Sequence, residues 1–203
     1  MSAPASGTQG YAEEADELAV RYETVTFEGV QRDVLHLIPT QPCRALDIGA
    51  GTGRDAAALA RRGHRVTAIE PTAELRAHGQ RLHADANIAW LDDSLPDLVR
   101  LRAVGSAFDL VMATAVWMHL DETERAAAMR NVAPLVAPGG QFLMSLRYGP
   151  VPPGRRMFAV PADEAIAQAA ENGLSLIHRS DREDMKGRDD VRWTCLGFRR
   201  AVP

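Results

Sequence analysis

The chain has 203 residues, 46% of them hydrophobic, which suits one domain with a sizeable core and excludes a disordered or fibrous protein. A formal net charge of −4 gives no general attraction to phosphate backbones, so a large nucleic-acid partner is not expected, and no apolar run approaches the roughly 18 residues of a membrane span. Cys43 and Cys195 lie far apart in no C-x-x-C pair and read as buried thiols of a reducing, cytoplasmic compartment; the histidines show no H-E-x-x-H spacing, so no metal is expected.

The first ten residues have neither a basic nor an apolar leader region and are expected to form a flexible tail, leaving 11–203 as a single domain. Residues 11–22 read as an acidic amphipathic helix. A second helix over 27–38 places Phe27, Val30, Val34 and Leu37 on one stripe and ends before Pro39. Alternating periods then predict strands near 44–48, 65–69, 87–91, 108–113, 140–147, 174–179 and 192–199. Helices fall between them near 54–62, 72–83, 95–104, 121–136 and 161–172, opened by caps at Thr72, Ser94 with Asp97, Asp121 with Glu124, and Asp163. This is the pattern of a sheet covered by helices on both faces. Two late loops stand apart: 147–161 is short, stiff and rich in Pro and Gly, and 180–191 is crowded with mixed charge and reads as a solvated hairpin tip.

The first strand runs into Asp47-Ile48-Gly49-Ala50-Gly51-Thr52-Gly53-Arg54-Asp55, with three glycines at every second position before a strong helix former. Such a loop brings backbone close to a ligand at a helix N-terminus, the arrangement of a nucleotide-type site in a doubly wound sheet. The dinucleotide fingerprint G-x-G-x-x-G is not met, because Arg54 stands where its third glycine belongs, and Asp47 would repel a pyrophosphate. A ligand with ammonium and sulfonium groups suits that acid better. Here the sequence resembles the class I S-adenosylmethionine-dependent methyltransferases, whose first motif reads acid-x-G-x-G-x-G. The likeness continues through Glu70, at the end of Val66-Thr67-Ala68-Ile69, through Trp90-Leu91-Asp92-Asp93-Ser94, through Phe108 to Ala115, and through Leu135-Val136-Ala137-Pro138-Gly139-Gly140 into the next strand.

The resemblance implies a Rossmann-like, doubly wound, seven-stranded sheet, mostly parallel with an antiparallel last strand. It divides the domain into N-terminal lid helices (11–38), a cofactor core (44–147) and a substrate-side loop with a C-terminal hairpin (148–203). It implies an enzyme that binds S-adenosylmethionine and releases S-adenosylhomocysteine. Asp47, Gly49, Ala50, Gly51 and Gly53 would surround the ligand, Glu70 with Pro71 would take the ribose hydroxyls, and Asp93 or Asp92 with Ser94 the adenine. Thr114 would border the methionine moiety, with Tyr11 and Arg21 closing over it.

On the acceptor side, His119 reads either as a general base or as a pocket-lining residue, and Trp117 as a pocket wall or a packing residue. Arg147 and Tyr148 end the fifth strand, and with Arg54, Arg155 and Arg156 could form a cationic rim for a carboxylate or phosphate; the other reading pairs these arginines with Asp55, Asp163 and Glu164. The [DN]-P-P-[YF] motif is absent, Ala113-Thr114-Ala115-Val116 standing in its place, and so is the acid cluster of metal-dependent catechol enzymes. What remains is metal-independent methyl transfer to a small-molecule O or N, a carboxylate included. Two other readings stay open, a non-catalytic S-adenosylmethionine-binding protein and an NAD-dependent oxidoreductase. Neither the acceptor nor the oligomeric state is legible.

Overall fold

The computed structural model describes residues 7–202. Seven strands form one sheet in the order β3-β2-β1-β4-β5-β7-β6. They are β1 (Arg44–Ile48), β2 (Arg65–Ile69), β3 (Ile88–Leu91), β4 (Phe108–Thr114), β5 (Val136–Tyr148), β6 (Leu174–Glu183) and β7 (Arg192–Arg200). The first five run parallel, and β7 runs antiparallel to both β5 and β6. The chain turns back between β1 and β4, which leaves a crevice at the C-terminal ends of the strands.

Side chains alternate across each strand, so the apolar runs bury both sheet faces. Leu46, Ile48, Val111, Ala113, Phe142, Met144 and Leu146 face one core with Ala128, Met129 and Val132 of α6 (Glu122–Val132) and Ala165 and Ala169 of α7 (Ala162–Glu171). Ala45, Leu110, Met112 and Leu143 face the other with Ala56 and Leu59 of α3 (Arg54–Arg61), Phe27 of α2 (Phe27–Gln31) and Val34. Leu18 of α1 (Ala15–Glu23) and Leu75 of α4 (Ala73–Leu82) make a third, smaller cluster.

Several boundaries differ from the sequence reading. The second helix stops at Gln31, whose side chain donates to Asp55 and Thr114, and the chain continues through a turn into a 3-10 helix, Leu35–Leu37. The fifth helix, α5 (Val99–Val104), starts later than Ser94 predicts. Ser94 and Asp97 do not cap it; the Asp93 carboxylate instead accepts from Leu101 N–H in its first turn. Pro161, not Asp163, occupies the N-cap of α7, and Thr72 caps α4 without a side-chain bond. Asp121 and Glu124 make the expected capping box. Residues 1–6 of the expected tail lie outside the described residues; residues 7–10 run across the crevice, where Gly7 packs against His119 and Gly10 against Arg155. Among the described residues no helix is long and apolar enough to cross a membrane.

Candidate active site

The ends of β1 to β5 open into one cavity of about 880 Å³. The glycine loop forms one end of it. Gly49, Gly51 and Gly53 all have positive φ, at 68°, 58° and 81°, which a side chain would strain. Their surroundings separate them. A Cβ on Gly49 would stand 2.5 Å from Val116, and one on Gly51 only 3.4 Å from the Tyr22 ring, and both residues line the cavity. Gly53 does not; a Cβ there would stand 2.6 Å from the Trp90 indole, which also lies against Gly79. The third glycine therefore seats Trp90 between α3 and α4, a packing role.

Glu70 closes the loop from β2. Its carboxylate accepts from Gly51 N–H and Thr72 N–H, both at 2.8 Å, and burial pushes its pKa up against the pull of those bonds. Asp47 is more isolated. It is 2% exposed, its Oδ2 has no partner among the described residues, and burial together with nearby Asp55 raises its pKa well above the usual carboxylate range. Asp55 itself is satisfied by Gln31 at 2.7 Å, Thr114 at 3.2 Å and Arg54 at 2.7 Å. A buried polar atom without a partner is costly, so this end of the cavity can take a polar group that bonds to Asp47.

The cover comes from the N-terminal segment and the loop after β5. The Tyr11 hydroxyl lies 3.1 Å from His119 Nε2, and His119 Nδ1 lies 3.0 Å from the Arg156 carbonyl. A carbonyl can only accept, so Nδ1 carries the hydrogen and the Nε2 lone pair faces Tyr11. Burial lowers the His119 pKa, and Arg155, Arg147 and Arg156 push it the same way while the carbonyl opposes them. Arg155 stacks 4.1 Å above the Tyr11 ring and pairs with Glu14 at 2.7 Å.

The far wall is the turn between β6 and β7. Its Asp184 side chain, 3% exposed, accepts two bonds from Arg188, one from Trp193 Nε1 at 3.0 Å and one from Lys186 N–H. The Arg188 hydrogen bonds hold its pKa well below the usual carboxylate value. Arg182 pairs with Asp33 at 3.4 Å and so ties the turn to the segment after α2. The expected solvated tip is found, most of residues 181–190 being exposed, but Arg182, Asp184, Met185, Lys186 and Arg188 also edge the cavity. An internally neutralised charge cluster can form a wall that an unpaired one could not.

Most of the residues expected at the site from sequence meet in this one cavity: Tyr11, Arg21, Asp47, Gly49, Ala50, Gly51, Arg54, Glu70, Pro71, Asp93, Ser94, Thr114, His119, Arg147 and Arg155. Besides Gly53 and Arg156, three do not. Asp92 turns outward to Arg76 and Arg100; Trp117 is fully buried, its ring 5.9 Å from Phe142; and Tyr148, one step along β5 from Arg147, faces the opposite core by strand alternation. Of the expected cationic rim, Arg54, Arg155 and Arg156 are spent on Asp55, on Glu14, and on Asp121 with Glu124. Tyr22, Gln31 and the 184–188 turn were not foreseen. Tyr22 continues the Ala15 and Leu18 stripe of α1, and Gln31 is a polar residue on the stripe of Phe27; both were signs of a buried polar site.

Known proteins share this fold. Residues 45–140 match the methyltransferase domain family. An uncharacterised methyltransferase of Mycobacterium bovis is 34% identical over 119 residues, covering 56% of this chain and 58% of that protein. A ubiquinone biosynthesis O-methyltransferase of Methylocella silvestris is 36% identical over 113 residues, covering 56% and 43%. The chain thus matches about half the length of these curated relatives. Among solved structures, a TehB-like S-adenosylmethionine-dependent methyltransferase of Corynebacterium glutamicum superposes with a TM-score of 0.68 at 20% identity, over 93% of this chain and 98% of that one. An N1-methyltransferase of Burkholderia thailandensis, crystallised with 1,6-didemethyltoxoflavin and S-adenosylhomocysteine, gives 0.65 at 19% identity, over 99% and 92%. The fold is therefore that of S-adenosylmethionine-dependent methyltransferases, and residues 45–140 carry the likeness to a methyltransferase domain.

Proposed function

We propose that this chain, as one domain over residues 11–203, transfers the methyl group of S-adenosylmethionine to a small-molecule acceptor, without a metal and in the cytoplasm. The observation that carries the reading is the pairing, in one cavity, of Glu70 bonded to the Gly51 backbone with the unpartnered buried Asp47 Oδ2. Glu70 would hold the ribose hydroxyls through its remaining lone pairs, Asp47 the cationic methionine end, and Asp93 with Ser94 the adenine edge. When bound, the ligand supplies an electrophilic methyl group on sulfur. The chain's own contribution is positioning, which in favourable cases is worth about 7–11 kcal/mol of barrier. The O-methyltransferase among the relatives supports an oxygen as the methylated atom, and the small-molecule complexes among the structural neighbours support a small acceptor.

Titration calorimetry tests the reading directly. S-adenosylhomocysteine should bind with micromolar or better affinity and NADH should not. Binding of NADH alone would replace the reading with a dinucleotide enzyme.

A further inference from the structure

We propose that the acceptor is a carboxylate whose ionised oxygen takes the methyl group, and that Arg147 holds it. This rests on the methyl-transfer reading above and narrows it to a substrate class. Six arginines line the cavity: Arg21, Arg54, Arg147, Arg155, Arg182 and Arg188. Four have a carboxylate of their own, Arg54 with Asp55, Arg155 with Glu14, Arg182 with Asp33 and Arg188 with Asp184. Arg21 is exposed on α1. Arg147 is half-buried on β5, donates from Nη1 to the Pro150 carbonyl at 3.0 Å, and has no carboxylate partner among the described residues. Burial and the neighbouring Arg188 already lower its pKa, so the site favours an arriving anion. A guanidinium fork matches a carboxylate in two parallel bonds.

The proton accounting points the same way. An alcohol or ammonium acceptor needs a group to take its proton, and the cavity is poor in such groups. The His119 lone pair is engaged by Tyr11, and an imidazolium there would be buried beside Arg155, Arg147 and Arg156. Asp55, Glu14 and Asp184 are held by arginines, Glu70 and Asp93 by backbone N–H groups. Glu17 lies exposed at the mouth, Lys186 lies exposed on the turn between β6 and β7, and Asp47 lies at the glycine-loop end. A carboxylate needs no base. Its oxygen forms the O–CH3 bond as the S–CH3 bond breaks, sulfur keeps the electron pair, the two opposite charges cancel and no proton moves. His119 then accepts from the Tyr11 hydroxyl and holds the cover of the cavity in place.

The experiment supplies the whole protein with methyl-labelled S-adenosylmethionine and a small-molecule extract split into an acidic fraction and a neutral-plus-basic fraction. Label from the acidic fraction should be released as methanol by alkali, the mark of a methyl ester. Turnover of the purified acid should be flat from about pH 6 to 9, above the carboxylate pKa. Arg147→Ala should raise the acceptor KM about a hundredfold, Arg147→Lys should recover part of that, and S-adenosylhomocysteine affinity should not change. His119→Gln should keep the flat pH profile. Alkali-stable label, or no label from the acidic fraction while S-adenosylhomocysteine binds, overturns the inference and leaves methyl transfer standing. A rate rising through about pH 6.5 and lost in His119→Gln overturns it too. Failure to bind S-adenosylhomocysteine defeats both readings.

Discussion

The two ends of the cavity are built in different ways. The glycine-loop end is one strand-turn-helix connection, Asp47 to Asp55, closed by Glu70, and its contacts are backbone N–H groups meeting a buried acid. The opposite end has no backbone core of its own; Tyr11, His119, Arg147, Arg155 and the 184–188 turn reach it from separate segments and are held by ion pairs and side-chain bonds. The first end is fixed by conformation, the second by charge matching. Changes at the first should therefore act on donor affinity, and changes at the second on acceptor specificity.

The sharpest way to break this division is Gly51→Val. At φ 58° a β-branched side chain is strained and points toward Tyr22, so S-adenosylhomocysteine binding should fall below detection by calorimetry. Gly53→Ala is the contrast: its side chain would strike Trp90, costing about 1–3 kcal/mol in thermal unfolding and leaving donor affinity much less affected. Binding lost equally in both variants would mean that the whole loop, and not its cavity face, contacts the ligand.

Glu70→Ala comes next. It should weaken S-adenosylhomocysteine at least tenfold, since charge-assisted bonds of about 1.5–3 kcal/mol each are lost. Burial raises the Glu70 pKa, so in the wild type this affinity should decline on acidification before an ordinary carboxylate would titrate. A dissociation constant unchanged by the substitution would remove Glu70 from the ligand's contacts.

At the charge-matched end, Asp184→Asn should loosen Arg188 and Trp193, raising the acceptor KM roughly tenfold. The donor dissociation constant should stay put, and an equal change in both constants would erase the distinction between the ends. The smallest effect concerns His119. Its pKa is lowered in the folded state, so the unfolded chain binds more protons between that value and about 6.5, and stability is lost as pH falls through this window. Denaturant unfolding at pH 7.5 and 5.5 should show His119→Gln gaining on the wild type at the lower pH; an identical pH dependence would show that His119 is protonated at no cost.

Much of the glycine-loop end was legible because period, glycine spacing and acid placement all lie within short stretches of chain. Asp47 lies near the end of an apolar strand and Glu70 and Asp93 each follow one, and parallel topology carries the end of every strand to the same crevice. Asp92 and Gly53 failed at the level of single side chains, since spacing does not say which of two adjacent acids turns inward or that an indole fills the space beside a glycine. Trp117 takes the packing role of its two readings and Tyr148 leaves the site for a similar reason, as each sits near a strand end on the face turned to the core. The 184–188 turn is exposed, as a mixed charge run usually is; what the sequence hides is its place at the edge of the cavity, which depends on the pairings of Asp184 with Arg188 and Asp33 with Arg182, of which the second spans 149 positions of sequence. Gln31 was hidden by a helix expected to continue past it.

The two-signed lining of the cavity has a kinetic meaning. On the proposed reading its acids would face the sulfonium and Arg147 the carboxylate, while Leu75, Leu95, Val116, Met118 and Leu120 line the same space. A reaction between a cation and an anion loses polarity as it climbs its barrier, and dispersed charge is penalised less by apolar surroundings than the separated ions are. Those hydrocarbon side chains would then act as a reaction medium. After transfer, Arg147 would face a neutral ester that has lost its attraction, so the event that completes the chemistry would also loosen the methylated product.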